Sequence, residues 1–128
     1  MADHNELGKQ GELLARNRLT ELGYQILRAN WRFEKYEVDL IARDGPDLVF
    51  VEVKTRETDA FGHPASFVGR KQQLHLAEAA EAWLYLYPEA NLRLRYDVVS
   101  VILQSNRHSI EHFKDAFWPD NLGLFYAE

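Results

Sequence analysis

One stretch constrains the fold more than any other: Tyr36 to Arg56, YEVDLIARDGPDLVFVEVKTR. Two apolar runs, Val38-Asp39-Leu40-Ile41-Ala42 and Leu48-Val49-Phe50-Val51-Glu52-Val53-Lys54, flank Asp44-Gly45-Pro46-Asp47. Such runs, rich in β-branched and aromatic residues around an Asp-Gly-Pro cluster, read as the two strands of a hairpin. Side chains alternate faces along a strand. Glu52 and Lys54 therefore point one way, with Leu48 and Phe50 behind them, while Val49, Val51 and Val53 point the other. Asp39 interrupts the first run. A carboxylate at the edge of a core needs a partner, because an unpaired buried charge is costly. Lys54, a backbone donor or a metal ion can each be that partner. An acid on one strand beside an acid-x-lysine on the next can hold a divalent cation next to an ammonium. That construction suits phosphodiester cleavage, with the cation polarising the phosphoryl oxygen and the lysine steadying charge. The same residues also suit an ion-paired, solvated sheet edge, and spacing alone does not separate the two.

Upstream, Asn5 to Leu22 predicts a helix, with Leu14, Ala15, Leu19 and Leu22 at three- and four-residue spacing. Asp3 or Asn5 suits its N-cap and Gly23 its C′ position. Glu12 lies on or beside the apolar face, either snorkelling at its edge or aimed into a site. Gly8 and Gly11 weaken the helix and predict the close approach of another element. Tyr24 to Ala29 reads as a short strand running into Asn30-Trp31-Arg32, where Trp31 and Phe33 serve either the core or base stacking.

Beyond the hairpin, Glu57 to Val68 is a breaker-rich loop suited to gripping a substrate, and its His63 has no visible partner. Gly69 to Tyr87 predicts a second helix with Leu76, Ala80, Trp83, Leu84 and Tyr87 on its apolar face. Arg70, Lys71 and Gln73 crowd the first turn. Basic residues there oppose the helix dipole, which points to a bound phosphate as the alternative to plain solvent exposure. Leu92 to Leu103 is apolar on both faces and reads as a central strand. Asp97 within it is either a fourth acid near the site or a structural one. Ser109 to Phe113 alternates and suits an extra edge strand. Segment 105–128, with Phe117, Trp118, Pro119, Leu122, Leu124, Phe125 and Tyr126, is too apolar for a free tail. It is expected to pack on the body or on a second subunit. The order is α-β-β-β-α-β, a meander followed by a crossover through the second helix.

A chain of 128 residues predicts one domain, 1–128, with its core at about 5–104. The absence of cysteine excludes disulfide scaffolds, cysteine nucleophiles and thiolate metal sites, and fits a reducing cytoplasm. The polar start lacks the apolar core of a signal peptide, and no run is long enough to cross a membrane. The net charge of −5 argues against tight, non-specific duplex binding. Basic residues nevertheless concentrate around the hairpin, where eight of them between Arg28 and Lys71 balance eight acids.

Gly8-x-x-Gly11-Glu12-x-x-Ala15, Glu37-Val38-Asp39-Leu40-Ile41-Ala42, the run Val49-Phe50-Val51-Glu52-Val53-Lys54-Thr55-Arg56, and Lys71 together resemble the YraN family of bacterial proteins. That family in turn looks like the PD-(D/E)XK superfamily and is similar in layout to archaeal Holliday-junction resolvases. The resemblance spans Gly8 to Asp97. It implies an α/β, restriction-endonuclease-like core, a mixed central β-sheet flanked by helices. It also implies that Asp39 is the first metal-binding aspartate, Glu52 the acid of the acid-x-lysine and Lys54 its lysine. Glu12 falls where a helical acid assists the metal, and Val38 stands where the superfamily often has proline. The implied activity is a Mg²⁺- or Mn²⁺-dependent endonuclease acting on DNA, branched or structured DNA included. Asp39, Glu52 and Glu12 would hold the metal, and Lys54 would support the attacking water or the scissile phosphate. Oxygen ligands without Cys or clustered His favour these hard cations over zinc. Glu37 shares Asp39's strand face and is expected to support the ligands from behind. Arg56, Arg70, Lys71 and Gln73 are the expected phosphate contacts. Two other readings stand beside this one: a non-catalytic nucleic-acid-binding module on the same fold, and a structural adaptor docking through its apolar tail. A homodimer would suit a junction or a two-strand cut.

Overall fold

The structure, a computed structural model, describes residues 4–58 and 68–118. The cap candidate Asp3, His63 with most of its loop, and the tail residues Pro119, Leu122, Leu124, Phe125 and Tyr126 lie outside them. The order is α1 (His4–Glu21), β1 (Gln25–Phe33), β2 (Tyr36–Asp44), β3 (Asp47–Arg56), α2 (Arg70–Leu86), β4 (Arg93–Gln104) and β5 (Arg107–Phe113). The strands form one mixed sheet in the spatial order β1-β2-β3-β4-β5. Only β3 and β4 run parallel, because the helical crossover joins them; the other pairs are antiparallel. This is the expected α/β core with its extra edge strand, β5, which begins two residues earlier than its alternation indicated. No helix among the described residues is long and apolar enough to cross a membrane.

The alternation of β3 and β4 sorts the core into two layers. Val49, Val51, Val99 and Val101 pack with Ala15 and Leu19 of α1, while Leu48, Phe50, Tyr96 and Val98 pack with Leu76, Ala79, Ala80 and Trp83 of α2. β1 outruns its expected end at Ala29. Asn30 takes φ +53 and the ladder then resumes with Trp31 opposite Val38. Trp31 is thereby buried, edge-on to Trp83 at 5.4 Å, so it serves the core and not base stacking.

α1 ends as a Schellman motif. Tyr24 N donates to Leu19 O and Gly23 N to Thr20 O, both at 3.0 Å, with Gly23 at φ +95. Leu22 lies past the last helical residue and is exposed, contrary to its expected place on the apolar face. Tyr87 is displaced in the same way by the end of α2.

Of the two glycines expected to admit a close neighbour, Gly11 does so and Gly8 has open space around it. A Cβ on Gly11 would collide with Oγ1, Cγ2 and Cβ of Thr55 on β3. Gly11→Ala is therefore expected to cost about 1–3 kcal/mol by overpacking, despite alanine's better helix propensity. The loss should shrink in the Gly11→Ala, Thr55→Gly double variant, as a double-mutant cycle by urea unfolding would show. Additive costs would refute the collision.

Asp97 proves structural. It is fully buried on the α1 side of the sheet, where Arg95 donates from Nε to its Oδ1 at 2.9 Å and from Nη2 to its Oδ2 at 3.0 Å. His112 Nε2 lies 2.7 Å from Oδ2, and Asp115 N donates to Oδ1 at 3.0 Å. The same guanidinium reaches Asp44 and Asp47 of the hairpin turn, each at 2.8 Å. One buried arginine thus joins the β2–β3 turn, β4 and the end of β5.

Candidate functional site

The β2–β3 ladder stops at Leu40 opposite Val51. Beyond it the Asp39 side chain takes the place of a strand carbonyl, its Oδ2 accepting from Val53 N at 2.8 Å. The strands part there, and Glu52 and Lys54 project toward α2. Gln72 of α2 joins them: its Nε2 donates to Glu52 Oε2 at 2.7 Å, and its Oε1 accepts from Lys54 Nζ at 2.8 Å. Lys54 Nζ lies 3.8 Å from Glu52 Oε2. Asp39 Oδ1 and Glu52 Oε1 take no hydrogen bond among the described residues.

Burial acts on both carboxyls. It pushes Asp39 up to about 6, against the Val53 hydrogen bond, with the negative charge of Glu12 adding to the rise and Lys54 opposing it. Glu52 is pushed up to about 7 by burial and by the charge of Asp39, again against Lys54. The two acids thus share one poorly hydrated place with too little positive charge between them.

A cleft of about 570 Å³ opens over this pair, lined by Glu37, Asp39, Glu52, Gly69, Lys71, Gln72 and His75. Glu12 is half-buried, and the contact of Gly11 with Thr55 brings its turn of α1 to this end of β3. Among the described residues no three His, Cys, Asp or Glu side chains stand close enough together to hold a metal ion, and the negative charge of Glu12 raises both carboxyls. Glu37 is exposed and paired with Arg32 at 2.8 Å, while its N–H donates to His75 Nε2 at 3.2 Å. Arg70 and Lys71 are exposed at the start of α2. Gln73 turns away: its Nε2 donates to Val68 O at 2.8 Å. Arg56 is half-buried at the end of β3, two residues beyond Lys54.

Sequence reasoning missed Gln72 and His75. The signal was available, because Gln72 lies one turn before Leu76 and His75 one turn before Ala79, which extends the buried stripe of α2 into the cleft.

The donor set fits a hard divalent cation. Mg²⁺ is commonly held by one or two carboxylates, with waters and substrate phosphate completing its shell, so Asp39 and Glu52 suffice as protein ligands. Each offers one oxygen free of other hydrogen bonds, and a cation would offset the repulsion that raises both carboxyls.

A model described as "Uncharacterised protein family UPF0102" matches residues 11–101, from Gly11 through Val101 of β4. A UPF0102 protein of Christiangramia forsetii is 43% identical over 118 residues, covering 92% of this chain and 98% of the relative. One from Bacteroides thetaiotaomicron is 40% identical over 119 residues, covering 93% and 98%. One from Chlorobium limicola is 38% identical over 124 residues, covering 92% and 96%. Glu12, the hairpin carrying Asp39, Glu52 and Lys54, and the helix carrying Gln72 all fall inside the matched span, and the chain belongs to the UPF0102 family, the YraN family that its EVDLIA and FVEVKTR blocks resemble.

Proposed function

We propose that this chain is a Mg²⁺- or Mn²⁺-dependent endonuclease that hydrolyses phosphodiester bonds in DNA. One observation carries the reading: two half-buried carboxylates with raised pKa values meet where β2 and β3 part, and a lysine is held beside them by Gln72. Perturbed groups of this kind, gathered in a cleft, are characteristic of functional sites. When bound, the cation would polarise a phosphoryl oxygen and lower the pKa of a water.

The chain's own residues do the rest. Asp39 and Glu52 supply the anionic ligands, and Glu12 adds negative charge behind them. Lys54 stands on the Glu52 side of the cleft, where its ammonium can meet charge developing on the scissile phosphate. Gln72 holds that ammonium with one end and Glu52 with the other, so neither side chain has to reorganise when substrate arrives. At the mouth, Arg70 and Lys71 open α2. Gly69 caps the helix without a side-chain hydrogen bond, and no acid occupies the first turn. Both features favour a phosphate there.

The test is cleavage of single strands, duplex, flap, four-way junction and structured RNA by the purified protein in Mg²⁺, Mn²⁺ or EDTA. Metal-dependent cutting of DNA is expected, and Lys54→Ala should lower it by about 10²–10³-fold, as loss of a donor to transition-state charge does. Binding that survives EDTA, without cutting in any metal, would replace the enzyme with a nucleic-acid-binding module. Neither binding nor cutting would remove both readings.

A further inference from the structure

We propose that the groove over the acid pair continues to a second subsite between α1 and β1, and that the whole path takes one unpaired nucleic-acid strand. This rests on the nuclease reading and narrows its substrate.

Three adjoining hollows make the path. The cleft at α2 shares Glu37 and Asp39 with a hollow of about 180 Å³. That hollow shares Glu12 and Asn30 with another of about 200 Å³, walled by Lys9, Leu13 and Arg16 of α1. The path therefore runs from the start of α2, across Asp39, to the exposed side of α1.

The distribution of cations follows the same line. Most basic side chains among the described residues are engaged by acids, hydrogen bonds or rings. Lys9, Arg16, Arg70 and Lys71 take no such partner among the described residues; Lys9 and Arg16 line one end of this path, and Lys71 lines the other with Arg70 next to it in α2. Evenly spread surface charge would not produce that placement. With a cation at Asp39 and Glu52, the path reads basic, metal, basic, which matches successive phosphates of one strand.

The α1 end also has what a nucleotide needs beyond a phosphate contact. Lys9, Leu13 and Arg16 are spaced four and three residues apart and share one side of the helix. Leu13 is 54% exposed there and offers an apolar surface to a base. Asn30 falls between the pairs Ala29–Leu40 and Trp31–Val38, opposite Asp39, and holds φ +53. Its exposed carboxamide makes no hydrogen bond among the described residues, so a donor and an acceptor are available for a base edge. The two inner hollows are smaller than the roughly 300 Å³ at which drug-sized pockets begin. One base or one sugar-phosphate unit enters such a space, and a paired duplex does not.

The test is fluorescence anisotropy with a fluorescein-labelled oligothymidylate and a blunt duplex of equal length, in Mg²⁺. The Lys54→Ala background keeps the strand intact. The single strand should bind at least about tenfold more tightly than the duplex. Adding Lys9→Ala and Arg16→Ala, both at exposed positions, should weaken strand binding about tenfold and reduce the slope of log K against log salt by about 1.4, or 0.7 per lost phosphate contact. Strand binding indifferent to Lys9 and Arg16, or duplex bound as tightly as strand, overturns the proposal while leaving the nuclease reading intact. No binding to either probe overturns the proposal as well, and failure to bind or cut the flap and four-way junction too would then overturn the nuclease reading.

Discussion

Asp39→Asn and Glu52→Gln should each raise the thermal midpoint at pH 8 and leave it unchanged near pH 4. The sign follows from the raised carboxyls. Asp39 ordinarily titrates at 3.8 and stands at about 6 in the fold; Glu52 ordinarily titrates at 4.5 and stands at about 7. The folded protein therefore holds these protons more tightly than the unfolded chain does. Their favourable contribution is complete below the ordinary values, declines as pH rises through the folded values, and is gone above about pH 7. At pH 8 both groups are ionised, desolvated and mutually repelling. An isosteric amide removes that cost while still accepting from Val53 at position 39 or meeting Gln72 at position 52. A rise of a little over two pH units corresponds to about 3 kcal/mol per site, or roughly 9–15 °C in midpoint for a chain of this size. The proposed cation supplies the other half of the experiment. Mg²⁺ or Mn²⁺ should stabilise the unsubstituted protein at pH 8 by mass action and do little for either variant. Scanning calorimetry at the two pH values, with and without metal, reads both effects. Variants less stable than the parent at pH 8 would show that the carboxylates serve the fold and would sink this account of the pair.

Arg95→Met is expected to have the largest cost, about 3–5 kcal/mol at pH 7. The guanidinium is almost fully buried and compensates Asp97, which has no exposed surface, and Asp47, which is 3% exposed. Removing it leaves two carboxylates in the core with His112 and Arg93 as their remaining side-chain partners. In the parent, hydrogen bonds from His112 and Arg95 hold Asp97 below the ordinary carboxylate value despite its burial. Arg93 first, and then Arg95, hold Asp47 below it too. Groups depressed in this way contribute stability that is present above the ordinary value of 3.8 and is lost as pH falls through the folded values. Without the arginine that order reverses. The orphaned acids rise, take up protons in mild acid, and the gap between variant and parent narrows from pH 7 toward pH 5. Urea unfolding at the two pH values measures this. A cost under about 1 kcal/mol, or one independent of pH, would show that the network is ornamental.

These two charged clusters divide differently between sequence and structure. The acid pair was legible because strand alternation is strict. A period of two places Glu52 and Lys54 on one face beside Phe50 and Leu48, and the hairpin turn at Asp44–Asp47 brings Asp39 next to them. The α/β order was legible for a similar reason, since apolar runs and breakers are local properties of the chain. Gln72 was less legible, because it and Gln73 are the same residue type in the same first turn of α2. Only the rotation of α2 on the sheet decides which of two adjacent glutamines faces Glu52 and which caps Val68. The Arg95 cluster was hidden altogether: Tyr24, Asp44, Asp47, Asp97 and His112 come from four separate segments and share no spacing.

The sequence by itself determined the elements, their order and the strand face that carries the acid pair, because these follow from periodicity and turn chemistry over a few residues. Tertiary structure alone decided that the ladder opens at Asp39 and that Gly11 seats α1 on Thr55. It also decided that Gln72 bridges the lysine and the acid, and that the unpaired cations lie along one groove. Each of these depends on how distant segments pack, and burial, which sets the cost of every charge here, has no value until they do.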